Sequence, residues 1–113
     1  MLRHETMKVY QRSLEFVTLV KQSMKSLPQG YGFLADQQRR AVSSISLNIA
    51  EGLGRSSRAD QRRFFSIAKA SCAEVAATFD VGLRFEVITQ PLHQQAIENC
   101  DAIVAMLTKL SRR

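Results

Sequence analysis

The sequence is poor in the residues that build metal sites and redox centres. Its 113 residues include two cysteines, two histidines and no tryptophan. Cys72 and Cys100 form no Cys-x-x-Cys pair, and neither His4 nor His93 stands at a metal-ligand spacing from them. We therefore interpret the cysteines as reduced thiols of a core and the histidines as surface residues. We expect neither a metal nor a cofactor.

Catalytic motifs and long apolar runs are also missing. The sequence contains no glycine-rich phosphate loop, no nucleophile elbow and no Glu-x-x-His motif of di-iron bundles. The longest apolar run is 102–107, whereas a membrane-spanning helix needs about 20 apolar residues. Charged residues from Arg3 to Glu15 interrupt any apolar signal-peptide core. We expect a cytoplasmic protein with no enzymatic activity and no membrane segment.

The sequence has fewer acidic residues than basic residues. Sixteen Lys and Arg face ten Asp and Glu, which gives a net charge of +6 and a pI near 9.9. Such a balance favours anionic partners, either nucleic acid or an acidic protein surface. The hydrophobic share of 45% is ordinary for a globular protein, and the length suits one domain.

Apolar residues recur every three or four positions in four segments, and no segment alternates with period two. The segments predict helices over about 5–26, 34–53, 57–84 and 91–110. Proline, glycine and capping residues separate them, including a capping box that begins at Ser57. Short connections favour antiparallel neighbours, so the sequence predicts an all-α, up-down-up-down four-helix bundle over residues 1–113.

The predicted core is one stripe on each helix. The stripe of helix one consists of Met7, Tyr10, Leu14, Val17, Val20, Met24 and Leu27. In helix three, Phe64 or Phe65 begins the stripe. Apolar residues outside these stripes exceed what one small bundle buries, which predicts self-association; they are Phe16, Leu19, Phe33, Leu47, Phe85 and Val87.

The main candidate site is a run of cations between Gln37 and Lys69. It consists of Arg39, Arg40, Arg55, Arg58, Arg62, Arg63 and Lys69. Arg58, Arg62 and Lys69 share one helical face by their spacing. Pairing of helices two and three about Gly54 places Lys69 level with Arg39 and Arg40, in a stripe that phosphates could follow. The alternative is that these cations are solvated helix surface, or that they pair with Glu51, Asp60 and Glu74 within the bundle or across an oligomer interface.

Four residues near the end of helix two receive structural roles. Asn48 falls in the apolar stripe, where a buried amide fixes the register between helices. Glu51 has three interpretations: a pair with Arg55, a cap of a neighbouring helix, or an acid or base if buried. Gly52 and Gly54 are expected to end the helix.

These patterns resemble a known family, the four-helix-bundle proteins first noted in intervening sequences of bacterial large-subunit ribosomal RNA genes. The segment from Asn48 to Gly52 is the most specific match, and Ser46 departs from the proline that relatives commonly have. The matching residues are Val9-Tyr10-Gln11-Arg12, Tyr31-Gly32, Gln37, Arg39-Arg40-Ala41, Ser44-Ile45, Asn48-Ile49-Ala50-Glu51-Gly52, Gly54-Arg55, Arg63-Phe64, Ile67-Ala68, Ser71 and Glu74.

The resemblance implies a left-handed bundle that assembles as a homo-oligomer, in known members a pentameric ring, with no assigned enzymatic activity. One branch of the family serves as the accessory variability determinant of diversity-generating retroelements, a basic oligomer that binds nucleic acid. Our first hypothesis is an oligomeric scaffold or adaptor whose basic surface recruits an acidic or nucleic-acid partner. The alternative is direct, sequence-independent RNA or DNA binding. An enzyme is a third hypothesis and would need a pocket that collects Asn48, Glu51 and an arginine.

Overall fold

The computed structural model describes residues 3–112, with side chains from residue 7 onward. It contains four helices: α1 (Arg3–Ser26), α2 (Gly32–Leu53), α3 (Arg58–Arg84) and α4 (Gln90–Ser111). Their ends lie within two residues of the predicted ones. The bundle measures 45 × 21 × 18 Å. None of the helices in this described part is long and apolar enough to span a membrane. The side chain of His4 lies outside the description.

The helices form an antiparallel square. Each helix packs against the next one along the chain, and α1 also packs against α4, whereas no Cα atoms of the diagonal pairs lie within 8 Å of each other in residues 3–112. Polar contacts between helices show the opposed directions. Ser13 and Ser23 of α1 meet Ser46 and Gln38 of α2, respectively. The predicted all-α, up-down-up-down bundle is confirmed.

Capping groups end the helices where the sequence signals them. The Ser57 hydroxyl accepts from the Asp60 amide at 3.1 Å, as the capping box predicts. The Thr89 hydroxyl caps α4 in the same way. At the other end of α3, Glu86 takes a φ of 62°. Its amide donates to the carbonyl of Leu83, and the Val87 amide donates to the carbonyl of Gly82. These bonds form a Schellman motif in which Glu86 occupies the left-handed position that glycine usually takes.

Two glycines allow neighbouring segments to approach closely. A Cβ on Gly52 would lie 2.7 Å from the buried Phe65 ring, and one on Gly82 would lie 2.7 Å from Cγ1 of Ile88. Gly54 is the C-cap of α2 with a φ of −84°, so it does not use left-handed backbone. The prediction that both Gly52 and Gly54 act as helix stops is therefore wrong for Gly52, which serves packing inside the helix.

The stripe predicted for helix one is wrong in part. Phe16 is fully buried, whereas Met7 and Leu14 are exposed. The buried face runs through Val9, Ser13, Phe16, Val20 and Ser23. Its two serines interrupt the apolar pattern, and they are buried because each forms a hydrogen bond to α2. In α3 it is Phe65 that enters the core.

The two cysteines lie side by side in the core. The Cys100 thiol donates to the carbonyl of Cys72 at 3.3 Å, and both thiols are free. A hydrogen bond to the Cys100 thiol, together with burial, raises the pKa of Cys72 far above its ordinary value. Both observations agree with the predicted core thiols.

Candidate anion-binding site

Most of the predicted cations gather at one end of the bundle, where α2 ends and α3 begins. We call this region the basic end; it consists of Arg55, Arg58, Arg62, Arg63, Lys69, Lys109 and Arg112. Glu51 and Asp60 are the acidic residues beside the turn. The opposite end carries Lys21, Lys25 and Arg84, with Arg39 and Arg40 two turns inward, together with Asp36, Asp80 and Glu86. The positive charge of the described chain is therefore concentrated at one end.

Arg39 and Arg40 do not belong to this cluster. Ser44 faces Ser71 across the α2–α3 pair, and Gly52 faces Phe65, so Lys69 is level with residues 46–48 of α2. Arg40 stands about 10 Å further along the helix, at 1.5 Å per residue. The predicted alignment of Lys69 with Arg39 and Arg40 is wrong because the helices pair with a different offset. Arg39 forms an ion pair with Asp36 in its own helix.

Lys69 faces α4 instead of α2. Its ammonium group donates to the Thr108 hydroxyl at 3.4 Å. Arg58 and Arg62 lie on the same face of α3 by their spacing. Because α4 runs antiparallel to α3, its last turn brings Lys109 and Arg112 to this end. Sequence analysis missed these two residues. The charged end of helix four and the predicted antiparallel topology together predict that they lie beside the start of α3.

A second group of cations surrounds a surface aromatic ring. The Arg55 and Arg63 guanidinium carbons lie 4.7 and 4.5 Å from the centroid of the Phe64 ring. Both distances are within the range of cation–π interactions. Arg55 also donates to Glu51 at 2.9 Å, while Arg63 is 3.9 Å from Asp60. We call Arg55, Phe64 and Arg63 the arginine–phenylalanine cluster.

Arg58 and Arg62 form no ion pair with any described residue. Arg58 is the first residue of α3 and Arg62 lies one turn further, close to the unsatisfied amides that give the helix end a partial positive charge. A cation there is repelled by the helix and by its neighbours. The arrangement therefore does not serve helix stability, and it provides a positive field for an anion.

Asn48 does not fix the register between helices in the predicted way. It is only half-buried, and its amide donates to the carbonyl and hydroxyl of Ser44, one turn earlier in α2. The link to α3 is made by Ser71, whose hydroxyl donates to Ser44. Sequence periodicity placed Asn48 in the core because it stands three residues from the buried Ile45.

Glu51 is exposed and pairs with Arg55, the first of its three predicted roles. Together with Asn48 and Arg55 it lines an open depression on the surface of α2. Within the described part of the chain, no three His, Cys, Asp or Glu side chains stand close enough to hold a metal ion.

Exposed apolar residues concentrate on the outer side of the α2–α3 pair. This α2–α3 face consists of Phe33, Leu47, Ile67, Val81 and Phe85, which are 40–66% exposed. Leu47 and Ile67 are level with each other, and the Phe33 and Phe85 rings are 6.3 Å apart. Three of the six apolar residues outside the predicted core stripes lie here. Two others, Leu19 and Val87, are half-buried against the core.

Comparisons with known proteins agree with this architecture. The family model described as 23S rRNA-intervening sequence protein matches residues 5–109. A crystal structure of a protein with unknown function from the S23 ribosomal protein family of Bacteroides thetaiotaomicron VPI-5482 superposes with a TM-score of 0.88. The two chains are 24% identical, and the alignment covers 96% of this chain and 99% of the other. This likeness shows the fold. No curated protein matches the chain significantly.

Proposed function

The chain belongs to the 23S rRNA-intervening sequence protein family, and we propose that it is a non-enzymatic, self-associating scaffold that recruits an anionic partner. The observation that carries the proposal is the presence of two surfaces of different chemistry on one bundle. The α2–α3 face is apolar and exposed, and the basic end adjoins it, since Leu47 and Arg55 line the same depression. One surface serves assembly and the other serves recruitment.

The composition of the α2–α3 face supports self-association. Five large apolar side chains on two adjacent helices form a larger apolar patch than single surface residues do, and such patches usually bind protein. We propose that a second copy of the chain covers it, in a homo-oligomer such as the pentameric ring implied by the family resemblance. In a cyclic assembly whose axis is parallel to the helices, all basic ends would lie on one rim.

Light scattering tests the assembly. We expect a solution mass several times the 12.7 kDa of one chain. Leu47→Glu introduces a charge at the most exposed residue of the face and should reduce the mass to that of smaller species. Gln94→Glu, an exposed position of α4, is the control and should leave the mass unchanged. A wild-type monomer would refute self-association.

Direct binding of RNA or DNA is the second candidate function, and the concentration of cations at the basic end favours it. Binding through such a surface is electrostatic and independent of sequence, and its affinity falls steeply with salt. An acidic protein would use the same charges, so the two kinds of partner are separated by experiment. Multivalency would strengthen binding if several basic ends share one rim.

Fluorescence anisotropy with a short single-stranded RNA at low and high salt tests this candidate. Replacement of Arg62 and Arg63 by glutamate should lower the affinity at low salt by at least tenfold, because two attractive charges become repulsive. The same change at Lys21 and Lys25 is a matched control at the opposite end. No binding at low salt, or binding that ignores salt, would refute nucleic-acid recruitment by charge.

A further inference from the structure

We infer that the arginine–phenylalanine cluster stacks on unpaired bases, so that the basic end prefers single-stranded nucleic acid to duplex. The inference rests on the proposed nucleic-acid binding and adds the form of the ligand. Its origin is the position of Phe64, a half-buried surface ring that two guanidinium groups contact. Phe65 occupies the neighbouring core position, so Phe64 is not needed to fill the core.

The ring orders two side chains that would otherwise be mobile. Each guanidinium lies over the Phe64 ring, yet the side chains of Arg55 and Arg63 remain 41% and 60% exposed. An ordered, flat guanidinium loses less conformational freedom when it binds, and its outer surface can stack on a base. Stacking of this kind is tolerant of sequence because every base has a π-face.

The cluster keeps hydrogen-bond donors for phosphates as well. Arg55 uses one terminal nitrogen for Glu51, and Arg63 is too far from Asp60 for a hydrogen bond. A guanidinium has five N–H donors, so most of them remain available. Arg58, the first residue of α3, and Arg62, one turn further, supply further phosphate contacts. Bases and backbone of one strand can therefore contact adjacent parts of the basic end.

A duplex cannot use this arrangement fully. Its bases are stacked on each other and paired, so only its phosphates and groove edges reach a protein surface. An unpaired strand offers both its phosphates and its base faces. Single strands should therefore gain affinity from Phe64 that duplexes do not.

The test compares three DNA probes of about 12 nucleotides: a single strand, the same strand without bases, and a duplex. For the wild-type protein we expect the base-containing strand to bind about tenfold tighter than the abasic strand of equal charge. Phe64→Leu should remove that difference and leave the slope of affinity against salt unchanged, because no charge is lost. Leu14→Ala, at an exposed apolar residue of α1 outside both the basic end and the α2–α3 face, is the control, and thermal unfolding checks that both variants fold.

The outcomes separate the inference from the function on which it rests. Equal affinity of the wild type for the abasic and base-containing strands overturns stacking while charge-driven binding stands. A Phe64→Leu variant that weakens all three probes equally also overturns it. No binding of any probe at low salt overturns both proposals.

Discussion

The two ends of the bundle are closed by the same kind of contact and differ in charge. At the basic end, Gly52 lets α2 approach Phe65 of α3, and Ser57 caps the next helix. At the opposite end, Gly82 lets α3 approach Ile88, and Thr89 caps α4. The opposite end is therefore closed in the same way, although its charged residues are of both signs.

The comparison separates what folding requires from what it does not. A glycine, a buried apolar partner and a capping hydroxyl are sufficient to turn the chain at the opposite end. Arg58 and Arg62 are therefore additional to closure at the basic end. The position of Arg58 in the first turn of α3 has a small electrostatic cost, because the partial positive charge of the helix end repels it. Residues that do not serve stability are candidates for binding.

The largest expected effect is at the opposite end, on replacing Gly82 by alanine. The new Cβ would overlap two side-chain atoms of Ile88, Cδ1 and Cγ1, and this residue is buried and β-branched. Overpacking of this kind costs about 1–3 kcal/mol, partly offset by the higher helix propensity of alanine. We expect a net loss of about 2 kcal/mol in the free energy of unfolding, measured by urea at fixed protein concentration.

The second substitution Ile88→Val supplies the control for this prediction. Valine lacks the Cδ1 atom that lies nearest to the new methyl group. The double variant should therefore lose less free energy of unfolding than the two single variants lose together. If the effects of the two substitutions are simply additive, the clash with Ile88 is not the cause of the destabilisation.

At the basic end, Gly52→Ala should have a smaller effect of the same kind. The clash involves two ring atoms of Phe65, and the ring can shift by a small rotation. We expect a loss of about 1 kcal/mol. Gly54→Ala is the matched control, because its Cβ would meet neighbours only at ordinary contact distance and its φ suits alanine. If Gly54→Ala destabilises the protein as much, close packing does not explain Gly52.

Periodicity and capping signals predicted the fold well because each helix carries its own apolar pattern and its own stop. They failed where a buried face contains polar residues. Ser13 and Ser23 lie in the core of α1 since each has a partner on α2, and no sequence pattern shows those partners. Close contacts such as that of Gly82 with Ile88 also depend on how the segments pack.

The candidate site was predicted less completely. Arg55, Arg58, Arg62 and Arg63 are neighbours in the sequence, so their clustering was visible at once. The separation from Arg39 and Arg40 depends on the offset between α2 and α3, and the approach of Arg112 depends on the α3–α4 pair. The choice between Phe64 and Phe65 depends on a rotation of about 100° around the helix, which the apolar pattern alone did not determine.

A weaker test of the opposite end concerns Glu86. Its positive φ is costly for a residue with a Cβ, and glycine is favoured at this position of a Schellman motif. Glycine relieves the cost of the positive φ, but it also makes the unfolded chain more flexible, which offsets part of the gain. We expect Glu86→Gly to stabilise the protein by about 0.5 kcal/mol. Thermal unfolding should show a rise of a few degrees. A decrease would indicate that the Glu86 side chain makes a stabilising contact.

The smallest expected change in stability comes from the most drastic change in charge. Replacing both Arg58 and Arg62 by glutamate puts negative charges near the N-terminus of α3, where the helix dipole favours them. We expect the free energy of unfolding to change by less than about 0.5 kcal/mol, or to rise slightly, while RNA affinity at low salt falls at least tenfold. Lys21→Glu with Lys25→Glu alters the net charge equally at the opposite end and should preserve binding. If the arginine variant unfolds instead, the cations belong to the closure of the basic end, and the distinction between the two ends is lost.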